Sequence, residues 1–317
     1  MSANLFGFGM ELSCLKLILR LARFQFLIPG FMLYLMGYLL ALLSGINFDF
    51  TKFAFGYLIF GTAHLSVSFS NDYFDRQADR NSIKTAFSGG SKVLVEHPQL
   101  EALALRIALS LLLASVVANM FFTFIYGYSF WFFIFSLLGG LLGWFYTAPP
   151  LKLAYRGLGE LATMIAVGLL MPGMGYFVAS GSIGPLFQAF ILPLGCYGLF
   201  FIITVELPDV ESDSNNHKKN FLVKWGRNAG RKICVAATIM GTAFMIIPFL
   251  SGKNEVLEMG GFVLFSIIPL IASIAGLLVN INNRKLLVRQ VMVNMTSMIL
   301  FLLLIDVSLF LHYTLRI

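Results

Sequence analysis

Long apolar stretches separated by short polar segments recur along the whole 317-residue chain. About 20 consecutive apolar residues are enough to cross a lipid bilayer as a helix. By this measure the chain contains nine predicted spans, at residues 24–45, 53–72, 103–125, 129–148, 158–180, 186–207, 233–251, 260–281 and 291–313. The pattern predicts an all-α polytopic membrane protein, with residues 1–317 forming one domain built as a single helical bundle.

The composition agrees with a lipid environment. Hydrophobic residues make up 58% of the chain, charged residues make up 12%, and the mean hydropathy is +0.85. A soluble domain is nearer to half apolar and a quarter charged. The three cysteines lie far apart in or near apolar segments, so they predict neither a disulfide framework nor a zinc site.

The basic residues predict an orientation. With the N-terminus in the cytoplasm, 19 of the 22 Lys and Arg residues fall on the cytoplasmic side. Only Lys52, Lys253 and Arg316 fall on the other side. The positive-inside rule therefore predicts a cytoplasmic N-terminus and, with nine spans, a C-terminus on the opposite side. This placement also explains the net charge of +7 without a nucleic-acid partner.

Seven of the fifteen acidic residues lie in two short stretches, each at the predicted cytoplasmic end of a span. The first acidic cluster consists of Asp72, Asp75 and Asp79, preceded by Asn71, and the second consists of Glu206, Asp209 and Asp213; the seventh acidic residue, Glu211, points away from the second cluster. Both clusters show a spacing of three and then four residues. On a helix this spacing places all three side chains on one face.

Three carboxylates on one face repel each other, and the repulsion grows as the dielectric constant falls near a membrane. Magnesium ions bind oxygen ligands and usually combine one or two carboxylates with substrate phosphates. Two such clusters facing each other predict magnesium ions around a diphosphate. Solvated loop charges are the simpler alternative, but the repeated spacing argues against it.

Basic side chains are available on the same predicted side to stabilise a departing diphosphate. Arg23 opens the first span, Lys152 and Arg156 lie in the short loop after the fourth, and Lys218 follows the second cluster. Taken alone, each could equally be an ordinary residue that flanks the membrane. Lys219 is better explained in that way.

These motifs resemble those of the UbiA superfamily of intramembrane prenyltransferases. The first reads N-D-x-x-D-x-x-x-D and is complete here, and the second has Glu206 where Asp or Asn is commoner. The segment from Tyr146 to Glu160 resembles the family's segment after its fourth helix. The chain departs from the family after Asp213, where His217 replaces a frequent Gly and Asn220 replaces Thr.

The resemblance implies a nine-helix bundle around a central chamber and a Mg²⁺-dependent transfer of a prenyl group from an isoprenyl diphosphate through an allylic carbocation. It implies that the six carboxylates of the two clusters hold the metal ions and that Asn71, Lys218 and Lys152 bind the diphosphate. It also places Tyr146 near the allylic carbon or the leaving oxygen. Arg23 matches a family arginine, and Arg156 belongs to the same family segment as Lys152. The active site would then lie on the cytoplasmic side of the bilayer.

The sequence says less about the identity of the acceptor than about the diphosphate site. The segment 86–94 resembles the dihydroxynaphthoate branch, which makes quinone precursors, although that branch often carries extra residues between the second and third aspartates. Homogentisate, hydroxybenzoate, haem and glycerophosphate acceptors remain open. His64 lies two turns before Asn71 on the same predicted helix, where it either contacts the acceptor or packs against polar neighbours.

Two other functions use the same residues. A membrane terpene cyclase of the same superfamily would need the metal sites but no acceptor. A cation transporter would use the carboxylates as a path for its substrate, but transporters usually place their polar site near the middle of the bilayer. Both clusters lie at the predicted cytoplasmic rim, which favours an enzyme.

Overall fold

The structure is a computed structural model that describes residues 14–250 and 260–315, without the side chains of residues 248–250. Within these ranges it contains nine helices that are long and apolar enough to cross a membrane, which confirms the predicted all-α architecture. The nine helices are α1 (Phe24–Leu43), α2 (Phe50–Phe74), α3 (Glu101–Ile125), α4 (Phe130–Thr147), α5 (Gly159–Ser180), α6 (Pro185–Glu206), α7 (Phe221–Leu250), α8 (Gly260–Leu277) and α9 (Arg284–Leu315).

Two helices begin well before their predicted spans. Helix α7 begins at Phe221 rather than at residue 233, and α9 begins at Arg284 rather than at 291. Hydropathy marks only the part of a helix that lies in lipid, whereas polar first turns continue the backbone hydrogen bonds into water. Helix α7 also changes direction at Gly226, whose φ of 77° is left-handed. Residue 251, the predicted end of the seventh span, lies outside the described residues, as do Lys253 and Arg316.

The outer surface of the bundle is strongly apolar. Phe124 is 86% exposed, Trp131 75% and Leu278 89%. Water would make so many large exposed apolar side chains costly, at about 25 cal/mol for each Å² of apolar surface. In the hydrocarbon core of a bilayer the same side chains do not carry this cost, which supports a membrane environment for the helices.

Close helix packing shapes the interior. Helix α1 packs along α5, and α2 packs against α3 and α4. A Cβ atom at Gly37 of α1 would lie 1.7 Å from the backbone oxygen of Pro172 in α5, so the two backbones touch directly. Such small residues allow the close approach that holds membrane helices together without a hydrophobic driving force.

Helix α5 contains a wider turn beside the interior cavity. Residues Ala166–Leu170 form a π-helical turn, and Pro172 follows it after Met171. Proline cannot donate a backbone hydrogen bond to the preceding turn, so the regular pattern shifts at this point. Ala166, Val167 and Leu170 of this turn line the cavity described below.

Candidate functional site

One cavity of about 360 Å³ lies between the ends of α2 and α6 and extends into the apolar interior between α1, α4 and α5. All six carboxylates of the two acidic clusters line its polar end. Its deeper walls are mainly apolar, with Leu33, Phe60, Phe135, Leu170 and Met174 among the lining residues. A polar entrance above an apolar chamber suits a ligand with a charged head and a hydrocarbon tail.

The first acidic cluster bends at its middle residue. Helix α2 ends at Phe74, and a short helix, Arg76–Asn81, follows directly after Asp75. The cluster therefore does not lie on one uninterrupted helix, as the spacing predicted, because Asp75 has a non-helical backbone (φ −90°, ψ 1°). Backbone hydrogen bonds of 2.8 Å from Asp75 to Asn71 and from Asp79 to Asp75 keep the turns nearly continuous, and all three carboxylates still line the cavity.

The second acidic cluster is interrupted in a similar way. Helix α6 ends at Glu206, the 3₁₀ turn Leu207–Asp209 follows, and the helix Val210–Asn215 completes the segment. Pro208 lies in this turn and cannot donate the next helical hydrogen bond, which explains the break. Asp213 is only 6% exposed and accepts a 2.7 Å hydrogen bond from the Asn220 amide.

Lys218 connects the two clusters. Its Nζ lies 3.3 Å from Oδ1 of Asp213 and 3.6 Å from Oδ2 of Asp75. Burial alone lowers the pKa of an ammonium group, but the carboxylates of Asp75 and Asp213 outweigh it and raise the pKa of Lys218 well above its usual range. The backbone of the preceding residue, His217, is left-handed (φ 57°), a conformation that favours glycine. This position is the one where the sequence departs from the family's frequent glycine.

The first cluster also has a basic partner just before α1. The guanidinium of Arg23 lies 3.6 Å from Oδ1 of Asp72 and 4.6 Å from the ring centre of Phe26. Arg23 has a left-handed backbone (φ 47°) at the junction before α1, and this turn directs its side chain into the cavity wall. Burial, together with the carboxylates of Asp75 and Asp72, raises the pKa of Asp79 to about 7.

The segment 82–92 packs over the first cluster. The backbone N–H of Ser91 donates to both oxygens of Asp72, at 3.4 and 3.3 Å. Gly90 has a left-handed backbone (φ 66°), and a Cβ atom there would lie 2.0 Å from Oδ2 of Asp79. The Lys92 ammonium donates to the backbone oxygens of Asp79 and Ser82. The small residues in this segment therefore let its backbone approach the carboxylates.

Tyr155 is a site residue to which the sequence assigned no role. Its hydroxyl donates a 2.7 Å hydrogen bond to Oδ1 of Asp75, and Lys218 lies 5.3 Å from its ring centre. Burial and the neighbouring Asp75 carboxylate raise the pKa of Tyr155, so the phenol keeps its proton and remains a donor. The only sequence signal was its position within the segment 146–160, three residues after Lys152.

The remaining predicted site residues divide into two groups. Asn71, Tyr146 and His64 line the cavity, and Asn71 accepts a 2.8 Å hydrogen bond from the Thr147 hydroxyl. Lys152 and Arg156 are exposed and do not line it. The Lys152 ammonium lies 5.5 Å from the ring centre of Tyr155, while Arg156 donates to the backbone oxygen of Pro150. The left-handed backbone of Lys152 (φ 45°) belongs to the turn that carries both residues along the outer side of this loop.

The polar end of the cavity fits magnesium ions bound together with phosphates. Six carboxyl groups line it, whereas Arg23 and Lys218 are the Lys and Arg residues of the described part of the chain that do so. Oε2 of Glu206 and Oδ1 of Asp209 are buried without a hydrogen-bond partner among the described residues. Within the same residues, no three His, Cys, Asp or Glu side chains form a complete metal-binding group. Magnesium usually needs only one or two carboxylates when phosphates supply further ligands, so this arrangement suits it.

Comparisons with known proteins agree with this geometry. A model of the UbiA prenyltransferase family matches residues 30–302, a range that includes both acidic clusters. The chain is also 21% identical over 212 residues to the 1,4-dihydroxy-2-naphthoate octaprenyltransferase of Bacillus subtilis (strain 168). That match covers 63% of this chain and 67% of the relative.

Solved structures share the fold. A UbiA homologue from Archaeoglobus fulgidus bound to GPP and Mg²⁺ superimposes with a TM-score of 0.61 at 16% identity, covering 91% of this chain and 99% of the homologue. A structure of digeranylgeranylglyceryl phosphate synthase superimposes with a TM-score of 0.63 at 16% identity, covering 93% and 98% of the two chains. At this level of identity the similarity establishes the architecture of the bundle.

Proposed function

The chain belongs to the UbiA prenyltransferase family, and we propose that it transfers the prenyl group of an isoprenyl diphosphate to an aromatic acceptor in a Mg²⁺-dependent reaction. The contact of Lys218 with both Asp75 and Asp213 carries this proposal. It brings the two acidic clusters to opposite sides of one basic group. A diphosphate bound at that group would lie between both sets of carboxylates.

The basic side chains of the cavity would bind and orient the diphosphate. Lys218 and Arg23 line the polar end and contact carboxylates. If metal ions bound those carboxylates, both basic side chains would be free to turn toward phosphate oxygens. Asp72, Asp75, Asp79, Glu206, Asp209 and Asp213 would hold the metal ions. Bound magnesium supplies the positive charge that stabilises the leaving diphosphate.

The chamber would protect the reacting prenyl group from water. When the bond between the allylic carbon and the diphosphate oxygen breaks, its electron pair leaves with the diphosphate and the carbon becomes cationic. The apolar walls exclude water that would otherwise capture this cation. Tyr146 lines the cavity and would lie near the allylic carbon, where its aromatic face can stabilise positive charge.

The acceptor that this proposal favours is a hydroxylated aromatic ring related to quinone precursors. The Bacillus subtilis relative acts on 1,4-dihydroxy-2-naphthoate, which supports that class for this chain. The segment 86–94, which suggested the same branch, lies beside the first cluster, with Ser88, Gly89 and Gly90 in the cavity wall. We also propose that the polar end of the cavity faces the cytoplasm, because the basic loops predict that orientation.

The test is a product assay with the purified protein in lipid vesicles. Geranylgeranyl diphosphate and Mg²⁺ would be supplied with 1,4-dihydroxy-2-naphthoate, with 4-hydroxybenzoate or without an acceptor, and diphosphate and products would be measured by mass spectrometry. We expect a prenylated aromatic product and diphosphate release that requires an acceptor. Acceptor-independent release with a cyclic hydrocarbon product would instead identify a cyclase. Ion flux through the vesicles without release from prenyl diphosphates of several lengths would identify a transporter.

A further inference from the structure

One polar side chain lies deep in the apolar chamber, away from the acidic clusters. His64 is on α2, seven residues before Asn71, and its imidazole lines the cavity. Seven residues of helix correspond to a rise of about 10 Å, and helical side chains tilt toward the N-terminus, which here points deeper into the bundle. The imidazole therefore lies well below the level at which a diphosphate would bind.

The surrounding residues hold the imidazole in one place. Gly30 of α1 faces the ring, and a Cβ atom at that position would lie 2.3 Å from Cε1 and 2.5 Å from Nδ1 of His64. The Phe60 ring, one turn earlier on α2, lies 5.5 Å from the imidazole centre. The close backbone of Gly30 and the neighbouring Phe60 ring restrict the orientation of the side chain before any ligand enters.

The two nitrogens of the ring lie in different surroundings. Nδ1 is fully buried and has no hydrogen-bond partner among the described residues, while the side chain as a whole is partly exposed within the cavity wall. The hydrogen bond of one ring nitrogen usually decides which nitrogen carries the proton. Because Nδ1 is buried, Nε2 is the ring nitrogen that a ligand in the cavity can reach.

A purely structural role does not account for this side chain. No described residue forms a hydrogen bond with either ring nitrogen of His64, and an apolar ring could line the same wall without leaving polar atoms unpaired. A prenyl chain contains no polar atom that could pair with the ring. The ligand that pairs with an imidazole at this depth must therefore carry oxygen, and within the proposed reaction only the acceptor does.

We propose that Nε2 of His64 forms a hydrogen bond with an oxygen of the aromatic acceptor and so selects acceptors that carry a hydroxyl group on the side of the ring away from the diphosphate. This inference rests on the proposed transfer reaction. The reacting carbon must lie next to the diphosphate level, and His64 lies about two helical turns deeper.

The test compares wild type with His64→Phe and His64→Gln in the product assay, and determines KM separately for 1,4-dihydroxy-2-naphthoate and for the prenyl diphosphate. Losing one hydrogen bond should raise the acceptor KM about tenfold in His64→Phe. The prenyl diphosphate KM should change less than about twofold, because the diphosphate contacts are intact. His64→Gln keeps a side chain that can donate and should fall between the two proteins. It provides the same comparison if His64→Phe does not fold.

Ser66 provides the matched control, because its hydroxyl is also buried on α2 without a partner among the described residues but does not line the cavity. Ser66→Ala should leave both KM values unchanged. The melting temperature of His64→Phe should equal or exceed that of wild type, which a purely structural histidine would not allow. Equal acceptor KM values in wild type and both His64 variants would overturn the role of His64 alone. If wild type gives no prenylated product with any acceptor, the proposed transfer reaction fails as well.

Discussion

Nζ of Lys218 lies 3.6 Å from Oδ2 of Asp75, although the lysine follows the second acidic cluster in the sequence and the aspartate belongs to the first. The same ammonium group is 3.3 Å from Asp213. One cation thus holds together two groups of carboxylates that would otherwise repel each other. In the proposed reaction it would also be the group that a diphosphate meets when it enters between them.

Replacing this lysine should therefore affect catalysis strongly. Lys218→Met removes a partly buried cation and leaves the charges of two carboxylates uncompensated. Removing one partner of a buried ion pair lowers the free energy of unfolding by about 3–5 kcal/mol, so activity is compared at equal amounts of folded protein. We expect kcat/KM for the prenyl diphosphate to fall at least about 100-fold, as determined by diphosphate release. The control is Lys219→Met, because Lys219 is the adjacent lysine but is exposed. Similar losses in both variants would contradict the role given to Lys218.

Tyr155→Phe tests the hydrogen bond that orients Asp75. A hydrogen bond to a charged group contributes about 1.5–3 kcal/mol, so its loss should lower kcat/KM about tenfold or more. If Asp75 binds metal, the variant should also need more Mg²⁺ for half-maximal activity. Tyr128→Phe is the control, since the Tyr128 hydroxyl donates to the backbone oxygen of Val178, away from the clusters. An unchanged Mg²⁺ requirement in Tyr155→Phe would exclude this positioning role.

Gly90 and Gly127 form a matched pair for the segment that packs over the first cluster. Their φ angles are 66° and 64°, so alanine is similarly strained at both positions. At Gly90 the added Cβ would lie 2.0 Å from the Asp79 carboxylate, whereas at Gly127 nothing lies within 4 Å. Gly90→Ala should therefore lose most of the transferase activity, and Gly127→Ala should retain most of it. Equal activities, compared at equal amounts of folded protein, would show that the close approach of Gly90 to Asp79 is unimportant.

The sequence predicted the helices well because lipid imposes a simple rule on them. Every backbone polar group in the bilayer must be paired within its own segment, so length and hydropathy identify the spans. The same rule does not apply at the membrane surface, which is why the early starts at Phe221 and Arg284 were not predicted. At the first of these two starts, the Glu160 carboxylate accepts a hydrogen bond from the backbone N–H of Phe221.

The site was predictable where its chemistry depends on local spacing. The two clusters, Asn71 and Lys218 were predicted because each lies within a short motif that repeats or matches the family, and all of them line the one cavity. Tyr155 was missed because its partner Asp75 is distant in the sequence. A contact between distant segments forms only when the chain folds, so a local sequence pattern does not predict it. The family resemblance placed Lys152 and Arg156 near the diphosphate, whereas in the structure both are exposed and do not line the cavity. The direction of an exposed side chain depends on the geometry of its loop, and residue spacing does not predict that geometry.

The packing of α1 on α5 gives a prediction about stability. In Gly37→Ala the new Cβ would lie 1.7 Å from the backbone oxygen of Pro172, so the two helices must move apart. Overpacking of this kind costs about 1–3 kcal/mol, and the melting temperature in detergent should fall by several degrees. Gly61→Ala is the control, because the nearest atom to its Cβ would be in the Tyr57 ring, at 3.6 Å. A melting temperature of Gly37→Ala equal to that of Gly61→Ala would contradict the close contact.

The most direct test of the central claim, that the two acidic clusters bind one diphosphate together, is a double-mutant cycle on diphosphate release. Asp72→Asn, Asp209→Asn and the double variant would be compared with wild type at saturating Mg²⁺. Groups that act as one unit are strongly non-additive, so the double variant should lose about as much kcat/KM as the more damaging single variant. Losses that multiply in the double variant, or a single variant with wild-type activity, would show that the clusters act independently and would contradict the shared diphosphate site.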